Sequence, residues 1–455
     1  MTTSSTSTEP SSSDVQLRGG TLGWTHVASL GVAIAISGSF SGWNYGLAVG
    51  GLGGMFIAAL AMALLFFFLT QCVAELASAL ADVGGFDGYA RFALGPMAGY
   101  ACGMATSIAL ALGAGLALTF IDAYATTSFG IGGWAMKAGV MAVVVALQCR
   151  GAKDAASATM LTGCVALLTL AGFCVYVLPD FDMGNWLAKG AGHGETLLPA
   201  GISGAVQCVP FALFLFLGVE QAAHAASEMK DMTRSLPKAL LASIGIVATV
   251  GIGVLLLATG AAGVERLAPS NDPLLEVVQS HPERAGAAFM TRFMGAGVLF
   301  SLIATFFSLT YAASRQFHHL ARAGDLPRWL ARTNASQAPT ASLGLVVAVG
   351  LVAAALPPDS VMVVFIFLIS LSHLLLIACF IRLRMRKPEM ARPYRAIGGQ
   401  AMAWLAGAMS CVVVASCQRM QPTAVNWTIG GFVILLACYR LARRSPPSLA
   451  SNTIQ

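Results

Sequence analysis

Charge is scarce in this chain: Asp, Glu, Lys and Arg together make up 10% of its 455 residues. Soluble globular proteins carry roughly 25% charged residues, so an ordinary soluble fold is excluded. No stretch between the apolar runs is long enough to build a separate soluble domain. Equally missing are a CxxC pair, an HExxH and a phosphate-cradling GxxxxGK[ST], so metal-dependent hydrolysis and ATP-driven pumping lose their usual sequence support. No credible pair of nucleophile and base speaks for an intramembrane enzyme, and no enzymatic activity and no cofactor are expected. The Ser/Thr-rich start, residues 1–13, has neither a basic n-region nor a small-residue cleavage site, and is expected to be a disordered tail rather than a signal peptide.

What is abundant is apolar sequence, at 57% of residues and a mean hydropathy of +0.75. Runs of about 20 apolar residues, enough to cross a bilayer, recur along almost the whole length. Twelve spans are expected, at 32–50, 55–79, 97–120, 134–147, 157–178, 203–226, 239–262, 289–311, 341–356, 361–381, 401–417 and 429–442. The fold class is therefore an all-α membrane protein with a single transmembrane domain over 21–443, flanked by cytoplasmic tails at 1–20 and 444–455. The net charge of +6 matters less than its placement. With an even number of spans and an internal start, only Lys137, Lys189, Arg266, Arg284, Arg292 and Arg419 of the 26 basic residues fall outside. That asymmetry follows the positive-inside rule and predicts a multi-pass protein of the cell membrane with both termini cytoplasmic and no nucleic-acid partner. The ten cysteines all lie in or beside apolar runs and read as small packing residues.

Two glycine- and serine-rich gaps interrupt these runs, about 180 residues apart: Ser37-Gly38-Ser39-Phe40-Ser41-Gly42 and Leu217-Gly218-Val219-Glu220. Lipid cannot satisfy a freed backbone group, so unwound helix at membrane depth survives only inside protein or beside a wet cavity. Paired breaks in corresponding positions of two halves point to a transporter binding site. A restarting helix offers unpaired N–H groups and a positive dipole end, while a stopping helix offers carbonyls, and together they can take both ends of a small amine or zwitterion. The expected substrate contacts are Ser37, Gly38, Ser39, Gly42, Trp43, Asn44, Phe214, Leu217, Gly218 and Glu220. Trp43 or Tyr45 can face an ammonium group through a cation–π contact, or can belong to an interfacial aromatic belt. Asn44 needs its amide satisfied inside the protein.

Glu220 sits near the middle of an apolar segment, where an ionisable group is a functional hypothesis by default. With His224 and Glu228 it forms an i, i+4, i+8 stripe on one helix face, suited to sharing a proton. The bland alternatives are a water-facing Glu228 and a packing His224. Glu75 and Gln71 make a smaller patch on the second span. Glu75 is a second candidate for proton coupling or gating, although pairing with a basic loop residue such as Arg91 is the simpler use. His373, on the tenth span, reads as a packing residue. Thr305 and Ser308, with Ser301, are weak sodium candidates, because hydroxyls on helices commonly bond their own backbone.

The residues also carry a resemblance. Phe216-Leu217-Gly218-Val219-Glu220 resembles the aromatic-x-Gly-x-Glu unwound segment in the sixth helix of the amino acid, polyamine and organocation (APC) superfamily of secondary transporters. The stretch 84–91 followed by Gly95-Pro96 resembles that family's loop before helix 3, and Ser314-Arg315 through Pro327 its loop after helix 8. Within the superfamily, Ser37-Gly38-x-x-x-Gly42-Trp43-Asn44-Tyr45-Gly46 looks most like the ethanolamine permease branch. Two departures stand beside it. That branch has an acidic residue near the middle of helix 3, where residues 108–117 here are apolar or glycine, and the fifth span lacks the membrane-embedded lysine of some proton-coupled members.

The resemblance implies two inverted five-helix repeats with discontinuous helices 1 and 6, plus two peripheral helices that can pack against lipid or a second copy of the chain. It implies a symporter importing a small amine or amino acid, ethanolamine first, on a proton or sodium gradient. A general amino acid permease or exchanger is the alternative, and a non-transporting membrane sensor a more distant one.

Overall fold

The computed structural model describes residues 23–80, 85–150, 155–189, 195–220, 229, 232–336 and 338–444. The expected tails lie almost wholly outside the described residues, as do His224 and Glu228. Helices dominate what is described; the exception is a short antiparallel pairing of Ala188–Lys189 with Glu195–Thr196.

The chain opens with α1 (Trp24–Ala35), which tightens into a 3₁₀ turn over Ile36–Ser39 and then loses helical form until α2 (Tyr45–Ala79) begins. The sequence causes this: the Ser37 hydroxyl donates to Ile34 O at 3.3 Å, and Gly42 takes φ +98°, which side-chain-bearing residues avoid. The boundary expected between 50 and 55 differs in form. Helical hydrogen bonding continues across it, with one interruption at Gly51 (φ 66°, ψ −173°), so the first two expected spans join through a kink. A loop was expected there because glycine clusters usually mark one. Here Gly53 N–H instead donates to Leu197 O at 2.9 Å, tying the kink to the chain leading into α7.

Next come α3 (Phe86–Leu94) and α4 (Pro96–Phe129), separated at Gly95 (φ 107°) with Pro96 in the first turn of α4, where a missing N–H costs nothing. They are followed by α5 (Trp134–Arg150), α6 (Ala155–Val177), α7 (Gly201–Phe214) and α8 (Met232–Ala262). The short α9 (Val264–Leu267) and α10 (Pro273–Gln279) precede α11 (Ala287–Arg322), α12 (Thr340–Ala353), α13 (Pro358–Arg386), α14 (Gly399–Met420) and α15 (Pro422–Arg444). Among the described residues, eight of these are long and apolar enough to cross a membrane, and α7 and α12 are shorter apolar helices. The chain is a multi-pass, all-helical membrane protein.

α4 packs along α11 and α13, while α2 packs along α7, and α1 along α8 and α6. Between lipid-soluble helices association relies on close packing and small residues rather than on the hydrophobic effect. The α4–α12 crossing shows this, since a Cβ on Gly115 would stand 2.4 Å from Gly350 O. Trp43, Phe40, Phe66, Tyr124 and Phe216 are fully buried in the core. Large apolar side chains on the outside, such as Val175, Phe289 and Trp427, form the surface expected against lipid.

The end of the molecule bearing most basic residues is pinned by ion pairs. Arg91 of α3 pairs with Asp325 after α11, and His319 Nδ1 lies 3.3 Å from Asp87 Oδ2. Glu75, at the end of α2, accepts from Arg384 Nε (2.9 Å), Arg384 Nη2 (2.5 Å) and Ala396 N–H (2.7 Å), with Arg392 Nε 3.2 Å away. The partner suggested for it by sequence, Arg91, is thus engaged elsewhere; long-range pairing is invisible to local pattern.

Candidate functional site

The two breaks meet. Gly38 lies so close to the second break that an added Cβ would stand 2.4 Å from Phe214 O, so only glycine permits this contact of main chains. Conversely Gly218, at φ +103°, packs on Ile34, and an added Cβ would fall 2.4 Å from its Cγ2. α7 stops at Phe214 and continues as turns: Phe216 N–H still reaches Leu213 O at 3.0 Å, whereas Gly218 N–H turns to the Glu220 carboxylate, Oε2, at 3.0 Å.

Beside this crossing is a cavity of about 180 Å³. The breaks contribute Ser37, Gly38, Phe214, Leu217, Gly218 and Glu220 to its walls, with Ala33 and Ile34 from α1. Leu110, Gly113, Ala117 and Phe120 come from α4, Thr162 from α6, and Phe365 and Ile369 from α13. Leu302, Ala304, Thr305, Ser308, Leu309 and Ala312 come from α11. The walls are mainly hydrocarbon, and among the described residues lining the cavity Glu220 is the one ionisable side chain.

Four of the expected contacts do not line it. Trp43 is fully buried with its Nε1–H donated to Ser39 O at 3.1 Å, so it braces the break from behind instead of presenting a face to a ligand. Asn44 accepts from Gly42 N–H at 3.0 Å and donates to Leu267 O (2.8 Å) and Ser270 O (2.7 Å). Its amide is satisfied within the protein and clamps the break to the segment after α9. Ser41 and Tyr45 hold the same segment through Asn271, at 2.9 and 2.5 Å. Tyr124 of α4 donates to Phe40 O at 2.8 Å, taking one carbonyl that the broken helix cannot use. Ser39 Oγ, fully buried, finds no hydrogen-bond partner among the described residues, and Gly42 sits beyond the cavity between Met362 and Phe214.

Thr305 and Ser308 reach the cavity, but each hydroxyl donates to its own helix, Thr305 to Ser301 O at 3.0 Å and Ser308 to Ala304 O at 2.9 Å. Their free lone pairs face a wall otherwise rich in hydrocarbon. Phe216, the aromatic of the second break, packs on Phe66 with ring centroids 6.0 Å apart; the aromatic that reaches the cavity is Phe214, edge-on to Phe365.

One neighbour of the site was read as a packing residue from sequence. His373, almost fully buried near the middle of α13, places Nε2 3.5 Å from Glu220 Oε1. The signal was its position: a titratable side chain in the centre of a span is a functional hypothesis by default, and only the distance in sequence hid its partner.

Two broken helices thus cross at a mainly apolar chamber whose described walls include one carboxylate, that of Glu220. Residues 22–438 match the model of the Amino acid permease family, and the chain belongs to that family. It is 25% identical over 322 residues to an uncharacterized transporter of Rhizobium meliloti, covering 68% of this chain and 66% of that protein. It is likewise 25% identical over 392 residues to a Pseudomonas aeruginosa protein named "Probable GABA permease", covering 80% of this chain and 79% of that one. A third relative, named a branched-chain amino acid permease, from Bacillus subtilis, is 24% identical over 170 residues, 37% of this chain and 33% of its own length. Some of these matches are partial: against an uncharacterized Mycobacterium tuberculosis transporter the chain spans 56% of the relative's length. The family and these relatives are transporters, not enzymes.

Proposed function

We propose that this protein is a secondary active transporter that imports a small amine or amino acid by alternating access. Twelve spans arranged as two inverted five-helix repeats, with α14 and α15 peripheral, would let one bundle rock against the other around the crossing of the breaks. The observation that carries the reading is the chamber itself, where Glu220 is the single ionisable residue among the described lining, beside two unwound segments. Its carboxylate takes the ammonium end of the substrate, and the freed backbone groups of the breaks take the polar remainder.

Ethanolamine is the narrow candidate favoured by the sequence of the first break. A second reading, an aliphatic amino acid, is favoured by the apolar walls formed by Ile34, Leu110, Leu302, Leu309 and Ile369, and a relative named for branched-chain amino acids supports it.

Purified protein in liposomes tests both. Radiolabelled ethanolamine, L-alanine, L-leucine, γ-aminobutyrate and L-arginine are each offered under imposed pH and Na⁺ gradients and in counterflow. Saturable accumulation of at least one is the expected result. No accumulation or exchange of any of them would remove the transport reading, and preference for L-leucine over ethanolamine would replace the first substrate by the second.

A further inference from the structure

We propose that the groove between α5 and α11 holds one anionic phospholipid, with an acyl chain lying in the groove and the phosphate on Arg292. The inference needs the chain to lie in a membrane and does not depend on what the protein carries.

A second cavity, of about 470 Å³, lies away from the crossing of the breaks. Its size falls within the range of small-molecule sites, about 300–1,000 Å³. Gly132, Ala135, Gly139, Val143 and Val144 line it from α5 and the residues just before, and Ile303 from α11, so its walls are hydrocarbon. Gly139 keeps it open: a Cβ there would meet nothing within 4 Å. From Ala135 to Val144 the groove runs nine residues, about 14 Å along a helix, close to half of the roughly 30 Å hydrocarbon core. It has the depth of one leaflet.

Arg292 stands at its mouth. α5 and α11 run in the same direction, because Gly295, near the start of α11, packs on Ser128 and Phe129 just before α5. At the other end Asn334, after α11, donates to Cys149 O of α5 at 2.8 Å. Gln148 fixes their register by donating to Phe307 O at 3.2 Å and to Thr310 Oγ1 at 2.6 Å. Sixteen residues back from Gln148 and from Ser308, between those partners, Gly132 and Arg292 share one level. Arg292 also precedes Ile303 by eleven residues, about three helical turns, which puts it on the face of α11 that lines the groove.

Arg292 is exposed and, among the described residues, makes no ion pair or hydrogen bond. A guanidinium takes a phosphate through two parallel N–H donors. Lys137 of α5 is matched by Asp122 at 3.5 Å, so Arg292 leaves the mouth with a positive charge in excess. A lipid with a singly anionic headgroup balances it, and a zwitterionic one does not. A second copy of the chain fits less well. Seated through a two-fold axis it would present the same patch, with another Arg292 and with Asp122 already held by Lys137 and Gly133 N–H.

Native mass spectrometry of the full chain in a non-ionic detergent tests the site, with dioleoylphosphatidylglycerol and dioleoylphosphatidylcholine offered in equal amounts. The wild type is expected to retain one phosphatidylglycerol in preference to phosphatidylcholine. Arg292→Gln should weaken retention of phosphatidylglycerol about fivefold, the effect of one cation beside an anionic headgroup, and leave phosphatidylcholine unchanged. Gly139→Leu, whose side chain enters the open groove, should lower retention of both lipids while the melting temperature holds. Arg419→Gln, at an exposed arginine of α14, should change neither.

Equal retention of the two lipids by the wild type, or equal effects of Arg292→Gln and Arg419→Gln, overturns the proposal. A dimer that Gly139→Leu dissolves would overturn it as well, and would give the groove to a second copy of the chain.

Discussion

Two buried carboxylates, Glu75 and Glu220, lie in neighbouring parts of one helical bundle and are treated in opposite ways. Glu75 is saturated: two guanidinium groups and a backbone N–H converge on its oxygens. Glu220, whose Oε2 accepts Gly218 N–H and whose Oε1 lies 3.5 Å from His373 Nε2, faces a cavity. A saturated carboxylate has nothing left to offer a ligand and works as a rivet between α2 and α13. Glu220 instead stands on a cavity wall, where its carboxylate is placed within reach of a ligand. Burial alone does not separate the two cases; access to a cavity does.

This contrast can be attacked most sharply at the rivet. Glu75→Gln is expected to destabilise the folded protein by about 3 kcal/mol, since breaking a buried pair strands the remaining charges. The Arg384 side chain keeps 21% of its exposure, which holds the cost toward the low end. Thermal unfolding in detergent would register it, whereas Glu220→Gln should abolish gradient-driven uptake with a smaller loss of melting temperature. Equal effects of the two variants on both stability and uptake would erase the distinction.

Next in size is Gly38→Ala, whose Cβ would meet Phe214 O at 2.4 Å. Separating the breaks should cost about 1–3 kcal/mol and lower counterflow more than it lowers expression. Asn44→Ala comes third. It frees the carbonyls of Leu267 and Ser270 and should cost about 1–2 kcal/mol, seen in melting temperature, with the substrate preference unchanged because Asn44 does not line the chamber.

The smallest effect concerns pH and the pinned end of the molecule. Burial acts to raise the Asp87 carboxyl, but hydrogen bonds from His319 and Gln316 outweigh it and hold the group below its ordinary value. A depressed folded value means that Asp87 contributes stability above about pH 4, the unfolded carboxylate value, and that this contribution is lost as pH falls through the folded one. Asp87→Asn should therefore flatten the acid side of the melting-temperature profile and leave uptake at neutral pH nearly unaltered.

Much of this arrangement was legible in the sequence for local reasons. Helical spans announce themselves by length and hydropathy, and both breaks fall where Ser37 to Gly42 and Leu217 to Glu220 place them, because glycine and serine act on their own backbone. Six of the ten expected contacts line the cavity. The rest follow from tertiary pairing, which no periodicity encodes. Asn44 and Trp43 look like ligand groups in sequence, yet spend their polar atoms on carbonyls of their own chain. His373 looks like packing until α13 is brought against the second break. Gly51, inside a glycine-rich stretch expected to end a span, bends the helix without ending it.

The contact between Gly38 and Phe214 O has an evolutionary side. One edge of the chamber is a seam of peptide units, and substitution cannot reshape peptide units. Substitution can alter the chamber only through side chains on the other walls, at positions such as Leu110, Leu309, Phe365 and Ile369. A replacement on those walls changes the room and polarity of the chamber while the crossing of main chains that frames it stays as it is.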